Sequence, residues 1–297
     1  MEPEYGEQKK GYIFMVAVYL IWGVLPAFWK LLIKVAPLAI MAHRALWAFV
    51  FLAIALAVLF RPKKLFAELA DRKVLGLHLL ASFFLAVQWI AYLIAVLSGQ
   101  LVEMSMGYYL YPLIVALLGW AFLKEKLNRA KILSLTLAGT GVIVAIVGLG
   151  RIPVLGLVLA FSFSFYSLIK KRIKINSLNS IFYEILFLMP LALAYLAWTS
   201  VAGNAAGQRA DSAPGTFFLL VSGGVATAIT LLLFAAGARR IPIFAVGFLQ
   251  YISPTIVLLL GVLVYDENFG PAQWASFALV WLGVLVYLRH QVQAIKN

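Results

Sequence analysis

Lys30, His43, Arg44, Glu103 and Glu184 stand inside long apolar stretches of this chain. A charge in such surroundings costs at least about 2.5 kcal/mol, so it is kept for a partner or a purpose. Lys30, His43, Arg44 and Glu103 fall in the outer third of their stretches. Two fixed cations against one acid suit an anionic or zwitterionic solute. Arg44 and Lys30 would hold its carboxylate, His43 would add a polar contact, and Glu103 would pair with Arg44 while the site is empty. A structural reading stands beside this one: Lys30 reaches back to the interface, Glu103 caps a helix start, and His43 is a satisfied polar side chain. Arg44 is the hardest to explain that way, because it lies about seven residues in, roughly 10 Å at 1.5 Å per residue. Glu184 sits one turn into its own stretch and mirrors Arg44 under a shift of 140 residues. It reads either as a gate at the opposite mouth or as an acid at a helix start, favoured by about 0.3 to 1 kcal/mol.

The elements that must carry these residues follow from composition. Of 297 residues, 64% are hydrophobic and 12% are charged, and the mean hydropathy is +1.00. Such a chain needs lipid as its solvent. Lipid forces backbone groups to pair within each segment, so stretches of about 17 to 25 apolar residues are helical spans. Ten are expected: Gly11 to Ile33, Pro37 to Phe60, Val74 to Leu97, Leu101 to Leu123, Ile132 to Leu149, Pro153 to Ile169, Ile181 to Val201, Gly215 to Ala238, Ile243 to Tyr265 and Pro271 to Leu288. Period-two alternation is absent, which excludes a membrane barrel. The first stretch is too long for a secretion signal and lacks a small-residue cleavage site, so it counts as span one. The connection from Ala202 to Pro214 reads as an exposed loop.

Spans four and nine hold the second constellation. Tyr108, Tyr109 and Tyr111 precede Pro112, and Gln250 and Tyr251 precede Pro254. Proline frees a carbonyl, which lipid tolerates only where a helix lines a cavity or packs on protein. The paired prolines therefore mark a candidate pathway. Tyrosines one turn away could stack on a planar solute, and Trp22 and Trp89, near the middle of their spans, could line the same space. A packing kink is the structural alternative.

These residues belong to a repeat. Tyr109, Pro112, Gly119, Glu125 and Gly141 recur as Tyr251, Pro254, Gly261, Glu267 and Gly283, each 142 positions on. Five spans per copy is an odd number, so the second copy must enter the membrane upside down, a construction found in many secondary transporters. The two copies take residues 1–150 and 151–297. Lys and Arg counts agree: 19 lie in segments facing the amino-terminal side and three in the opposite segments. That asymmetry puts both termini in the cytoplasm. Lys124 to Lys131 carries four basic residues, while its repeat partner Asp266 to Gln273 carries none.

What is missing narrows the function. The charge of +13 is explained by loop orientation, so nucleic acid is not an expected partner. No cysteine is present, His43, His78 and His290 lack zinc-site spacing, and no phosphate-binding GxxxxGK[ST] loop occurs. No metal, cofactor or catalytic residue is therefore expected.

Five stretches are similar to those of a known family: YLIWGVLPAFWKLL from Tyr19, MAHRALWAF from Met41, LVEMSMGYYLYPL from Leu101, AFSFSFYSLIKKRI from Ala160 and GFLQYISPT from Gly247. The chain resembles the drug/metabolite transporter superfamily in its EamA-type ten-span branch, and within it the RarD permeases. The resemblance implies an inner-membrane permease with two inverted five-helix halves, a central cavity, and spans five and ten at the periphery. RarD-like proteins are commonly labelled chloramphenicol-related.

Together these readings give an all-α integral membrane protein that moves small organic metabolites, amino acids, aromatic or anionic and zwitterionic compounds, or drugs, outward by alternating access. Glu103, Glu184, Pro112 and Pro254 are the expected gating positions. Protons as coupling ion, with Glu103 and Glu184 as carriers, and a homodimer both stay open. The competing readings are an intramembrane enzyme centred on Arg44 and Glu103, acting on a lipid-linked substrate, and a non-transporting receptor or scaffold.

Overall fold

A computed structural model describes residues 5–59, 66–150, 152–201 and 214–296. Among these, the regular structure is helical: α1 Tyr5–Lys30, α2 Pro37–Leu59, a short 3₁₀ turn Phe66–Ala70, α3 Arg72–Leu97, α4 Leu101–Tyr108, α5 Tyr111–Leu123, α6 Arg129–Leu149, α7 Val154–Arg172, α8 Ser177–Val201, α9 Pro214–Ala238, α10 Ile243–Leu249, α11 Ile252–Val264 and α12 Pro271–Lys296. Eight stretches are long and apolar enough to cross a bilayer, and Tyr111–Leu123 and Pro271–Tyr287 are shorter apolar helices. Counting α4 with α5 and α10 with α11 as single crossings gives ten spans.

Helix starts near the polar loops are fixed by side-chain caps. Asp71 accepts from the Lys73 amide at 2.8 Å and Asn128 from the Lys131 amide at 2.9 Å. Each capped start removes one of the unpaired amides of a first helical turn, worth about 1 kcal/mol.

Spans four and nine are broken rather than kinked. Tyr109 and Leu110 separate α4 from α5, and Gln250 and Tyr251 separate α10 from α11. Pro112 and Pro254 lie in the first turn of the second piece of each span. There a missing amide costs little, because first-turn amides have no intrahelical partner. The prolines restart a helix and do not bend a continuous one.

The two broken spans run antiparallel, and the repeat itself proves it. Glu125, just past α5, accepts the Ile243 and Phe244 amides at 2.8 and 3.3 Å at the start of α10. Glu267, just past α11, accepts the Leu101 and Val102 amides at 3.2 and 2.8 Å at the start of α4. Every partner is 142 residues from its counterpart. The end of one broken span therefore meets the start of the other at both faces. The turn that aims each acid is also duplicated: Lys124 (φ 56°) and Asp266 (φ 51°) are the non-glycine residues with positive φ among the described residues.

Helices from the two copies interleave. α1 packs on α9 and α11, α7 packs on α3, α4 and α5, and α2 packs on α8 and α9. At the periphery α6 lies along α12. That contact is tight enough to need bare backbone: a Cβ on Gly141 would come within 2.8 Å of the Ser276 carbonyl, and one on Gly283 within 2.7 Å of the Ser134 carbonyl. Small residues let membrane helices approach closely where burial of apolar surface gives no drive.

Candidate functional site

A central cavity lies between α1, α2, α3, α4, α7, α9 and the α10–α11 break. Its walls are Trp22, Leu25, Leu85, Trp89, Phe163, Leu231 and Val257, and its polar groups are Arg44, Gln88, Tyr92, Tyr108, Thr230, Gln250 and Ser253. The space open to water-sized spheres is about 40 Å³. That holds a few waters and is far below the roughly 300 Å³ at which organic ligands are bound. In this conformation the cavity is too small for such a ligand.

Arg44 is the chemical centre. It is 6% exposed, its Nε donates to Thr227 Oγ1 at 2.7 Å, and its guanidinium lies 4.1 Å from the Trp89 ring and 5.1 Å from the Trp29 ring. Stacking on two indoles offsets part of the cost of burying the charge, by about 2 kcal/mol or more where water is excluded. No carboxylate pairs with it among the described residues. Its Nη1 makes no hydrogen bond there, nor do the Tyr92 hydroxyl and the Gln250 Oε1, all three buried. Gln88 and Tyr108 satisfy each other, with Gln88 Nε2 donating to the Tyr108 hydroxyl at 2.9 Å. The cavity thus holds one unpaired cationic donor, one unpaired hydroxyl and one unpaired amide oxygen.

The sequence-derived candidates distribute unevenly around this space. Trp22, Arg44, Trp89, Tyr108 and Gln250 line it. Tyr109, Tyr111 and Tyr251 do not line it, and they knit the helices beneath it. Tyr111 Oη is 2.8 Å from Ser167 Oγ, and the Tyr251 hydroxyl donates to the Tyr109 carbonyl at 3.2 Å. Lys30 stands away from the cavity over the Tyr265 ring, 3.4 Å from its centre, with Glu267 close enough to attract it. His43 is half-buried on α2 outside the lining. Glu103 falls on α4, and its side chain lies outside the described residues. Pro112 and Pro254 flank the breaks beside the cavity.

Glu184 does not stand open at a mouth. It is 0% exposed and pairs with Lys170, Nζ to Oε1 at 2.6 Å. Lys170 lies just past Ile169, the expected end of span six, but α7 runs on to Arg172 and folds it inside. Gln88 and Thr227 were also missed. The available signal for Gln88 was a lone amide in the middle of an apolar span. Thr227 carries no such mark, since threonine bonds its own helix backbone, as it does here to Gly223.

Below the cavity, toward the carboxyl end of α7, aromatic rings close the way. Trp22 lies edge-on to Phe163 at 5.3 Å, Phe163 stacks on Tyr166 at 5.7 Å, and Phe234 touches all three at 5.2 to 5.9 Å. Beyond them, Lys171 Nζ donates to the Ala238 and Ile241 carbonyls, and Arg239 bonds the Ile175 carbonyl and Ser177 hydroxyl. These bonds tie the α7–α8 and α9–α10 connections together.

The model of the EamA-like transporter family matches residues 9–147 and again residues 151–289. The chain belongs to that family. EamA-like relatives similar over nearly the full length include an uncharacterised transporter, YojE, of Bacillus subtilis, 42% identical and covering 98% of this chain and 97% of the relative. The RarD protein of Salmonella typhi is 34% identical over 95% of each chain. A chloramphenicol-sensitive RarD of Pseudomonas aeruginosa is 30% identical over 93% of each. A crystal structure of an 18%-identical protein superposes over 93% of this chain with a TM-score of 0.64, which speaks for the fold alone. Membership of this family makes the chain a bacterial multi-span membrane transporter of small molecules.

Proposed function

We propose that this transporter exports small organic solutes carrying a carboxylate, including amino acids and other aromatic or zwitterionic compounds, across the bacterial inner membrane by alternating access. The observation that carries the reading is Arg44, a buried guanidinium that lines the central cavity and whose Nη1 makes no hydrogen bond among the described residues. A carboxylate there would gain a charge-assisted bond where none now exists. The Gln250 oxygen can accept from an ammonium or amide N–H at the other end of the solute, and Trp22 and Phe163 offer faces to an aromatic body.

In this reading the copies 1–150 and 151–297 supply the two sides of one pathway. Lys30, Glu103 and Tyr265 close it outside, Glu184 closes it inside, and the breaks ahead of Pro112 and Pro254 are the hinges. The carrier works without a cofactor.

A thermal-shift screen of amino acids, aromatic acids, nucleosides and phenicol drugs, followed by uptake into proteoliposomes, tests the substrate class. A ligand at a hundred times its Kd stabilises by about 2.7 kcal/mol, which is easily read. Carboxylates should stabilise the protein and be transported. Stabilisation confined to organic cations would overturn the assignment.

Orientation is tested at the two ends of α8. The native chain has no cysteine, so Lys174→Cys and Val201→Cys give clean probes. With both termini cytoplasmic, an impermeant maleimide added to intact cells labels Val201→Cys and spares Lys174→Cys. The reverse pattern, or labelling of both, rejects the orientation.

A further inference from the structure

We infer that the Lys170–Glu184 pair is a proton-binding site, and that its occupancy sets whether the inner end of the pathway is held shut. The inference rests on the alternating-access reading and deepens it by naming the coupling ion and its seat.

The pair is a saturated, fully enclosed network. Glu184 Oε1 accepts from Lys170 Nζ at 2.6 Å and from Ser180 Oγ at 3.2 Å, and Oε2 accepts from the Tyr166 hydroxyl at 2.9 Å. Lys170 also donates to Ser180 Oγ at 2.5 Å. The side chains of Lys170 and Glu184 are 3% and 0% exposed. Tyr166 and Lys170 lie one turn apart on α7, Ser180 and Glu184 one turn apart on α8. α7 packs mainly on α3, α4 and α5, and α8 mainly on α2 and α3, so the network is a direct link between two helices that otherwise rest on different neighbours.

The other charged and titratable groups around it are few. From α3, His78 Nε2 stands 3.3 Å from Ser180 Oγ, while its Nδ1 is held by the Val74 carbonyl at 2.8 Å. Also from α3, the Ser82 hydroxyl donates to the Glu184 carbonyl. Glu68, on the 3₁₀ turn, is occupied by the Tyr183 hydroxyl and the Asn179 amide. Just past α9, Arg239 is bound to Ile175 and Ser177.

Adding a proton to Glu184 turns a carboxylate with three donors into an acid that must itself donate. At least one of the bonds from Lys170, Ser180 and Tyr166 is then lost, and Lys170 becomes a buried cation with no counter-charge. That state is costly, and it is relieved when Lys170 reaches water. The crevice beside it, lined by Lys170, Ser177, Ser180 and Arg239, has no room for water in this conformation, so that relief needs α7 and α8 to part. Protonation therefore loosens α7 from α8 and favours the inward-open state, from which the proton leaves to the cytoplasm as the pair re-forms. The other copy has no equivalent. Under the 140-residue shift its counterparts are Lys30 and Arg44, two cations.

The test reads conformation and needs no known substrate. Single cysteines replace Val246 on α10, at the inner end, and Ser105 on α4, at the outer end, where the native hydroxyl makes no hydrogen bond among the described residues. Maleimide rates are normalised to the same cysteine in the unfolded chain at each pH. On lowering the pH from about 8 to about 4.5, the ordinary glutamate range, Val246→Cys should label at least about fivefold faster and Ser105→Cys correspondingly slower, the low end of typical coupling. Glu184→Gln should hold the low-pH rates at both pH values, while Glu184→Asp and His78→Gln keep the pH response. Should Glu184→Gln fail to fold, the neutral pair Lys170→Gln with Glu184→Gln must be equally blind to pH. A Glu184→Gln protein that follows pH like the parent, loss of the response in His78→Gln, or pH-independent parent rates overturns the proton site. Probes that move oppositely in Glu184→Gln without pH dependence in the parent leave alternating access standing, whereas probes that move together reject both.

Discussion

Replacing Arg44 with alanine should lower transport of a carboxylate solute about a hundredfold while leaving folded protein in the membrane. The size follows from what the residue does. A bidentate guanidinium–carboxylate contact in a water-excluded cavity is worth about 2 to 3 kcal/mol, and 1.4 kcal/mol is a factor of ten. Folding should survive, because among the described residues no carboxylate balances this buried cation, and its hydrogen-bond partner there is Thr227. Arg44→Lys should recover little, since a lysine gives up the planar fork and the face-on packing against Trp89 and Trp29. The check is initial uptake in proteoliposomes normalised to reconstituted protein, together with the loss of ligand-induced thermal stabilisation. Unimpaired uptake by a well-folded Arg44→Ala protein would make the residue a packing element and move the anion site elsewhere.

The second large effect concerns Glu125 and Glu267. Each carboxylate holds two amides at the start of a helix from the other copy, one at each face. Opening a face separates those partners. Glu125→Gln, which removes the charge and one acceptor, should favour opening at the Ile243 face, and Glu267→Gln opening at the Leu101 face. About 1 to 2 kcal/mol is at stake in each, a shift of roughly 5- to 30-fold in the conformational ratio. Labelling of Val246→Cys and Ser105→Cys should move in opposite directions in the two variants and return toward the parent values in the double variant. If both variants move both probes the same way, these acids stabilise the fold without biasing its two states.

These glutamates show how far the sequence could be read. The 142-residue spacing exposed them as a pair, and the odd number of spans implied inversion, both from pattern alone. Their targets were invisible, because a backbone amide is the same in every residue and nothing in Ile243 or Leu101 announces that it will be capped. Arg44 was legible for a different reason: a cation in an apolar run stands out before any coordinates exist. Its surroundings were not, since Thr227 reaches it and Gln88 joins the same cavity through helix packing from elsewhere in the chain. Lys170 was misread because the span boundary was drawn at the last apolar residue, whereas the helix goes on for another turn. Lys30 looked like a second cation for the same solute, yet its ammonium stands over the Tyr265 ring.

The exchanged caps also change what counts as a complete molecule. Neither copy closes the start of its own broken span. α4 depends on Glu267 and α10 on Glu125, and the α6–α12 seam needs Gly141 and Gly283 together. The unit that was duplicated is therefore smaller than the unit that folds. A ribosome that has finished the first five spans has made a segment still waiting for its lock, and a stop codon after residue 264 would strip the cap from a helix that began at residue 101.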